Sequence, residues 1–272
     1  MPRLKEYRPK NVSQYLEHIE QIQRRAQSAI WFRGAGLAVH RLIPSIYRHP
    51  KAASTADLQT LERQIMARFR QRSIPYHSRD LRDDWEALFF MQHYGVPTRL
   101  LDWTENPLTA VYFALMYAPV EKAKSGDSWF SRRPAAVWVL DPAEWNEAAL
   151  RHVSYTGGPL TPGDDALRGF APHSTITVMN AYPVALYGAH NSARIVAQQG
   201  VFTIFGTNRM PMETLVRNGT FPPSALTRIV ISPRRVVPMR TSLLGQGVTE
   251  STVFPDLEGL AKETKRYFGF EA

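Results

Sequence analysis

The segment LFFMQHYGVPTRLLDWTENPLTAVYFA, residues 88–114, constrains the fold more than any other part of the chain. It contains two apolar stretches separated by residues through which a helix does not continue. Gly95 ends the first stretch, and Pro97 stiffens the turn that follows. Asn106 and Pro107 then supply the N-cap and the first helical position of a second helix. The segment therefore predicts two core helices that are joined by a short polar connection.

Most of the first half of the chain has apolar residues at the spacing of a helix. The predicted helices cover residues 11–28, 56–72, 83–95 and 107–118. Ser13 is a candidate cap for the first of them, and Asp83 or Asp84 for the third. An apolar strand, AIWF, lies between the first two helices and ends at Arg33.

The second half alternates short apolar strands with short helices. The predicted strands are AAVWVLD, PVALYG, RIVAQQGVFTIFG and LTRIVIS, and the predicted helices are PAEWNEAAL, a segment near 211–217 and the chain from about 234, with Asp256 as a cap. Residues 120–134 and 154–175 are predicted to form long loops, which are often functional lids or else disordered. The order predicts an α+β fold, in which a helical N-terminal half packs on a mostly antiparallel sheet.

Polar side chains gather in the connection between the two core helices. Glu86 and His93 are two helical turns apart and share a helix face, where a carboxylate and an imidazole can serve acid–base chemistry. Arg99 and Asp102 follow the turn and either pair with each other or bind a ligand. A buried, hydrogen-bonded hinge between two helices explains the same pattern, and the residues alone leave this alternative open.

Two further polar groups are candidates for ligand binding. Arg33 at the end of a strand can bind a phosphate or carboxylate, and Gly34 allows a close approach of the backbone. An arginine held by a structural ion pair is the simpler explanation of that spacing. Gln198 and Gln199 can bind an amide or a ribose, or they can close backbone groups around a bulge at Gly200.

Composition excludes several classes of protein. The chain has no cysteine, which removes disulfides, thiolate nucleophiles and cysteine-based zinc sites and fits a cytoplasmic protein. It has no apolar run of the roughly 20 residues that a membrane span needs, and no signal peptide is evident. His93 has no partner histidine at i+4, so we expect no metal. P-loop, GxGxxG and GxSxG motifs are all missing from the sequence. The net charge of +9 favours a phosphate-bearing partner or is a general property of the surface.

Four segments occur in a fixed order, WFRGAG, QHYGVPTRLLDWTENPLTAVYFA, RIVAQQGVFTIFG and VFPDLEG. In this order they resemble the FRG domain family, which is named after a Phe-or-Tyr, Arg, Gly triplet. The resemblance runs from about residue 25 to residue 260, within a single domain that we assign to residues 1–272. It implies that the family's signature positions are Arg33, His93, Gly95, Pro97, Thr98, Arg99, Asp102 and Gln199.

The WFRG segment is also similar to the first strand of ADP-ribosyltransferase folds, in which the Arg holds a phosphate or ribose of NAD. This resemblance implies NAD as the substrate. The residues expected to bind it are Arg33, Gly34, Arg99, Asp102 and Gln199, and the expected catalytic residues are Glu86 and His93. Such enzymes usually carry a Glu on a later strand, where AQQGVF has glutamines, so Glu86 or Glu213 would have to replace it.

Three functions are compatible with these observations. The first is an NAD-using, ADP-ribosyltransferase-like enzyme, acting as a bacterial toxin or phage-defence effector. The second is a non-catalytic module that binds nucleic acid or a nucleotide, which the basic charge favours. The third is a protein-interaction subunit, for example a toxin that an antitoxin partner neutralises.

Overall fold

A computed structural model of the chain describes residues 4–26, 28–78, 81–123, 128–153, 155, 157–172, 180–189 and 192–270. The strands are β1 (Lys5–Tyr7), β2 (Trp31–Ala35), β3 (Leu100–Thr104), β4 (Glu121–Lys122), β5 (Trp129–Phe130), β6 (Ala135–Leu140), β7 (Val184–Leu186), β8 (Gly200–Ile204) and β9 (Leu226–Ile231). The helices are α1 (Val12–Gln23), α2 (Thr55–Ser73), α3 (Asp84–His93), α4 (Pro107–Met116), α5 (Pro142–Ala149), α6 (Ala193–Gln198), α7 (Met212–Arg217), α8 (Pro233–Gly245), α9 (Glu250–Val253) and α10 (Leu257–Tyr267).

A seven-stranded sheet forms the centre of the fold, in the order β1-β9-β6-β2-β3-β8-β7. The pairings along the sheet are antiparallel from β9 to β7, and β1 pairs with β9 in parallel. The α+β fold with a mostly antiparallel sheet is therefore confirmed. An ADP-ribosyltransferase-like arrangement of this sheet stays a prediction.

Helices cover both faces of the sheet. One hydrophobic cluster joins β2, β6 and β9 to α1, α4 and α8, and the other joins the sheet to α2, α3, α5 and α7. All six residues of β6 are buried because the strand contributes to both clusters. This double burial explains why AAVWVL is an unbroken apolar run and does not alternate with polar residues.

Helix caps follow the sequence closely. Asp83 caps α3 by accepting a hydrogen bond from the backbone N–H of Glu86, and Asn106 caps α4, which begins at Pro107. Asp256 caps α10. These predictions are confirmed because a cap depends on side chains within three residues of the helix start.

Two predicted boundaries were wrong. The cap of α1 is Asn11, whose side chain accepts from the N–H of Gln14, and Ser13 lies inside the helix. The segment RIVAQQGVFTIFG begins with α6 and becomes strand β8 only at Gly200. No bulge is needed there, because Gln199 adopts a left-handed conformation with φ of 45° and ends the helix.

Three connections also differ from the sequence prediction. The polar connection between α3 and α4 contains a central strand, β3. The predicted loop at 120–134 contains the β4–β5 hairpin, although residues 124–127 lie outside the described residues. Within the loop at 154–175, a 3-10 helix spans Asp165–Phe170, and residues 154, 156 and 173–175 lie outside the described part.

Candidate functional site

A cleft opens where β2 and β3 separate. Among the described residues, the register of β2 with β3 consists of the single pair Phe32 and Thr104, whereas β2 pairs with β6 over five positions. The cleft beside this opening has a volume of about 940 Å³. Its walls come from residues 32–36, 40–42, 92–95 and 102–104, together with side chains of α4, β6, α6 and the start of α10. Elements from both halves of the chain therefore meet at one site.

Arg33 and Asp102 face each other across the opening. The Arg33 Nη1 donates a hydrogen bond of 2.5 Å to the backbone oxygen of Asp102 and lies 3.7 Å from its Oδ2. Within the described residues this is the only hydrogen bond of the guanidinium, so Nε and Nη2 have donors to spare. Burial lowers the pKa of Arg33, although the Asp102 carboxylate acts in the opposite direction. The cation is thus incompletely compensated, and an anionic ligand would stabilise it.

A short hydrogen-bond chain holds the Asp102 carboxylate. Gln92 donates from Nε2 to Oδ2 of Asp102 at 2.8 Å, and its Oε1 accepts from Thr98 at 2.6 Å. Thr98 in turn accepts from the backbone N–H of Leu100 at 3.0 Å. Sequence reasoning overlooked Gln92, although it directly precedes His93 in the QHYG motif. These hydrogen bonds fix the position of the Asp102 carboxylate, although 54% of its side chain is exposed.

His93 is the last residue of α3 and lines the cleft. Its Nδ1 lies 3.4 Å from the hydroxyl oxygen of Ser192 at the start of α6. Glu86, two turns earlier on α3, does not line the cleft, so the predicted catalytic pairing of Glu86 with His93 requires correction. Glu213 is buried and does not line the cleft either; it accepts a hydrogen bond from the N–H of Leu42 and lies 3.6 Å from the Nε of Arg41.

Arg99 lies outside the cleft, in the core. Its side chain is 0% exposed and donates from Nε to both carboxylate oxygens of Glu62 at 2.9 Å. Nη1 and Nη2 donate to the backbone oxygens of Phe205 and Phe170 at 3.0 and 2.5 Å. The prediction that Arg99 binds the ligand is therefore corrected, since every arm of this guanidinium already serves a buried structural contact.

Gly34 and Gln199 have backbone roles. A Cβ on Gly34 would lie 2.1 Å from the backbone oxygen of Ala110, so the glycine lets α4 pack directly against β2. Gly34 lines the cleft as well, but it is this close packing that requires a glycine. Gln199 ends α6 and is exposed, and its neighbour Gln198 lines the cleft in its place.

Aromatic and basic side chains complete the walls. Tyr94 and Tyr117 line the cleft and are each 63% exposed, which makes their rings available for stacking. Arg41 and Arg194 add positive charge, and the Arg194 guanidinium lies 4.5 Å from the centre of the Phe254 ring. Sequence reasoning missed Tyr94, Tyr117 and Arg41, because the fold, not a local motif, brings them to the cleft.

Two carboxylates besides Asp102 line the cleft, and both already have partners. Asp256 caps α10, and Glu258 pairs with Lys262 at 2.7 Å. Among the described residues, no group of three or more His, Asp and Glu side chains has an arrangement that could hold a metal ion. None of the described helices is both long and apolar enough to span a bilayer.

Comparison with protein families finds a match to the FRG domain over residues 28–123. The match runs from just before β2 to β4 and includes Arg33, Gly34, His93, Arg99 and Asp102. No curated protein and no solved structure matches the chain.

Proposed function

We propose that the cleft binds NAD or a closely related nucleotide and acts on it; the FRG domain match over residues 28–123 contains Arg33 and Asp102, the residues on which the proposal depends. The observation that carries the proposal is the Arg33–Asp102 pair, in which a recessed cation keeps unused donors beside a fixed carboxylate. Arginine with free donors binds phosphate oxygens in a bidentate manner. The pair therefore offers a phosphate or ribose contact and an acidic group at one place.

The dimensions and walls of the cleft support a nucleotide ligand. Its volume of about 940 Å³ lies at the upper end of the range that small-molecule sites occupy. The rings of Tyr94 and Tyr117 offer apolar faces for a base or a nicotinamide ring. Arg194 adds positive charge for the phosphates beside Arg41, whose own charge is shared with Glu213 at 3.6 Å.

The reaction that the residues suit is cleavage of the glycosidic bond between nicotinamide and ribose, giving an ADP-ribosyltransferase or an NAD glycohydrolase. The electron pair of the broken glycosidic bond leaves with nicotinamide. The oxygen of water, or an oxygen or nitrogen of another acceptor, forms the new bond to the sugar carbon. Asp102 would stabilise the positive charge that develops on the sugar, the role usually given to a glutamate. His93 would accept the proton of the attacking group.

The first test measures binding and consumption of NAD by the purified protein. Arg33→Ala is expected to weaken NAD binding about tenfold to a hundredfold, because it removes a charge-assisted contact. Arg132→Ala is the matched control, since Arg132 is 68% exposed and pairs with Glu121 outside the cleft. Absence of NAD binding by the wild-type protein, or equal binding by both variants, would end the proposal.

The second test separates binding from chemistry. Asp102→Asn keeps the shape of the side chain and an acceptor oxygen for Gln92, and it removes the charge. We expect NAD to bind with little change while nicotinamide release falls about a hundredfold or more. Full turnover by this variant would show that Asp102 is not the catalytic carboxylate.

A toxin or phage-defence effector is the cellular role that we propose for such an enzyme, with nucleic acid or a protein as the acceptor. Incubation with NAD that is labelled in its adenylate part would transfer the label to the acceptor. The alternative of a non-catalytic module that binds nucleic acid predicts binding that weakens steeply with salt and no nicotinamide release. An antitoxin-type partner would instead be found by co-purification from the native host.

A further inference from the structure

Two tryptophans of the sheet have a buried indole N–H with no acceptor among the described residues, namely Trp31 and Trp138. Trp31 is 0% exposed and Trp138 is 1% exposed. Indole nitrogen is a donor only, and a buried donor without an acceptor destabilises the fold. Such a group is an indication of a missing partner when it lies at a site.

The two residues differ in their position relative to the cleft. Trp138 lines the cleft, whereas Trp31 packs in the core and makes an edge contact with Tyr187 at 5.7 Å. Trp138 on β6 is the direct register partner of Arg33 on β2. Directly opposed residues of an antiparallel pair project from the same face with their Cβ atoms about 4.5–5.5 Å apart. Trp138 and Arg33 therefore lie side by side on one face of the sheet, and both line the cleft.

The ring of Trp138 is held in place from the neighbouring strand. The guanidinium of Arg228 on β9 lies 5.4 Å from the centre of the ring, and Arg228 is the register partner of Trp138 on that side. Arg228 is itself anchored by Glu6 on β1 at 2.5 Å. The indole is thus part of a rigid row across the sheet, which suits a group that recognises a ligand.

We propose that the Trp138 indole N–H and the unused donors of Arg33 together form a subsite for a phosphate oxygen of the bound ligand. The inference rests on the proposed function in that it assigns the phosphate-binding part of the same cleft. A phosphate oxygen can accept from both side chains at once, and its charge complements the desolvated Arg33 cation. One phosphate group thereby supplies an acceptor for the indole N–H of Trp138 and a negative charge for the Arg33 cation.

The test compares two ligands that differ by phosphate, ADP and adenosine, in calorimetric titrations of the full chain. Trp138→Phe keeps an aromatic ring under Arg228 and removes the N–H. We expect it to weaken ADP binding about tenfold and to leave adenosine binding unchanged. Trp31→Phe is the matched control, since it removes the other orphan N–H outside the cleft, and its affinity for ADP should equal that of the wild type.

The outcomes distinguish the subsite from the proposed function. Equal ADP affinity in Trp138→Phe and wild type would overturn the subsite and would mean that the indole N–H is satisfied otherwise, for example by water. Loss of ADP affinity together with no consumption of NAD would support the subsite and contradict the NAD-using enzyme. Failure of the wild-type protein to bind ADP or NAD would overturn both.

A second measurement covers the case in which Trp138→Phe does not fold. A benzothienyl analogue of tryptophan at position 138 replaces the N–H by sulfur and keeps the bicyclic shape. It should retain the melting temperature of the wild type and show the same selective tenfold loss for ADP. An analogue protein that binds ADP as the wild type does would overturn the subsite.

Discussion

Two of the arginine–carboxylate pairs of this fold, Arg99–Glu62 and Arg33–Asp102, differ in their burial and in how completely the arginine is hydrogen-bonded. Arg99 and Glu62 are both 0% exposed, their atoms lie 2.9 Å apart, and the other arginine donors reach backbone oxygens. Arg33 and Asp102 are 29% and 54% exposed, and the charged atoms are 3.7 Å apart. The first pair is complete within the chain, whereas the second leaves room for a third group.

The pKa values of the two arginines move in opposite directions. Burial opposes the charge of both, but Glu62 more than offsets it for Arg99, whose pKa is raised. At Arg33 burial, together with repulsion from the Arg48 cation, outweighs the attraction of Asp102, and the pKa is lowered. The Arg99 charge is therefore compensated within the fold, whereas the Arg33 charge is compensated only in part, as the proposed ligand-binding role requires.

The largest expected effect on stability follows from breaking the buried Arg99–Glu62 pair. Glu62→Ala leaves the Arg99 cation buried without its carboxylate, which destabilises a protein by about 3–5 kcal/mol. Equilibrium unfolding in denaturant measures this loss. Glu121→Ala breaks the exposed pair with Arg132 and should change the free energy of unfolding by less than about 1 kcal/mol. Similar losses in the free energy of unfolding for the two variants would show that the buried pair stabilises the fold no more than the exposed pair does.

Sequence reasoning located the caps of α3, α4 and α10 and the arginine at the cleft, but not the long-range partners that decide the roles of the arginines. Asn106 and Asp256 were identified because a cap acts on residues three positions away. Arg99 was assigned to the ligand because its partner, Glu62, lies 37 residues earlier on another helix. Trp138 likewise becomes a neighbour of Arg33 only through strand register. Long-range pairing, which no local pattern encodes, separates the structural arginine from the one at the cleft.

The second largest effect on stability is expected of Gly34→Ala, which tests whether this glycine is needed for the close packing of α4 against β2. Gly34→Ala places a Cβ 2.1 Å from the Ala110 oxygen and 2.6 Å from the Ala114 nitrogen, both of which are backbone atoms of α4. Because backbone must shift, we expect a loss of about 1–3 kcal/mol in the free energy of unfolding. Gly95→Asn is a useful comparison, since Gly95 has a positive φ but an open surrounding, and asparagine tolerates that conformation. A Gly34→Ala protein as stable as wild type would show that α4 can move.

A smaller effect concerns the hydrogen-bond chain below Asp102. Gln92→Ala removes the donor to Asp102 and the acceptor for Thr98, and it should destabilise the fold by about 0.5–1.5 kcal/mol. Its effect on nicotinamide release should exceed its effect on NAD binding, because the Asp102 carboxylate is no longer fixed. Equal losses in binding and turnover would assign Gln92 to ligand contact and not to positioning.

The smallest expected effect on stability is that of Arg33→Met, which keeps most of the aliphatic volume and removes the charge. A base whose pKa is lowered by folding has a charged form that the folded state disfavours, and this penalty is present at every pH below the lowered pKa, including neutrality. Removing the charge should therefore leave the free energy of unfolding within about 0.5 kcal/mol of wild type or raise it slightly. NAD binding should nevertheless weaken about tenfold to a hundredfold, as in Arg33→Ala, so that binding is lost without a matching loss of stability. A loss of stability comparable to that of Glu62→Ala would instead make Arg33 a second structural arginine, and the cleft would lose its principal recognition group.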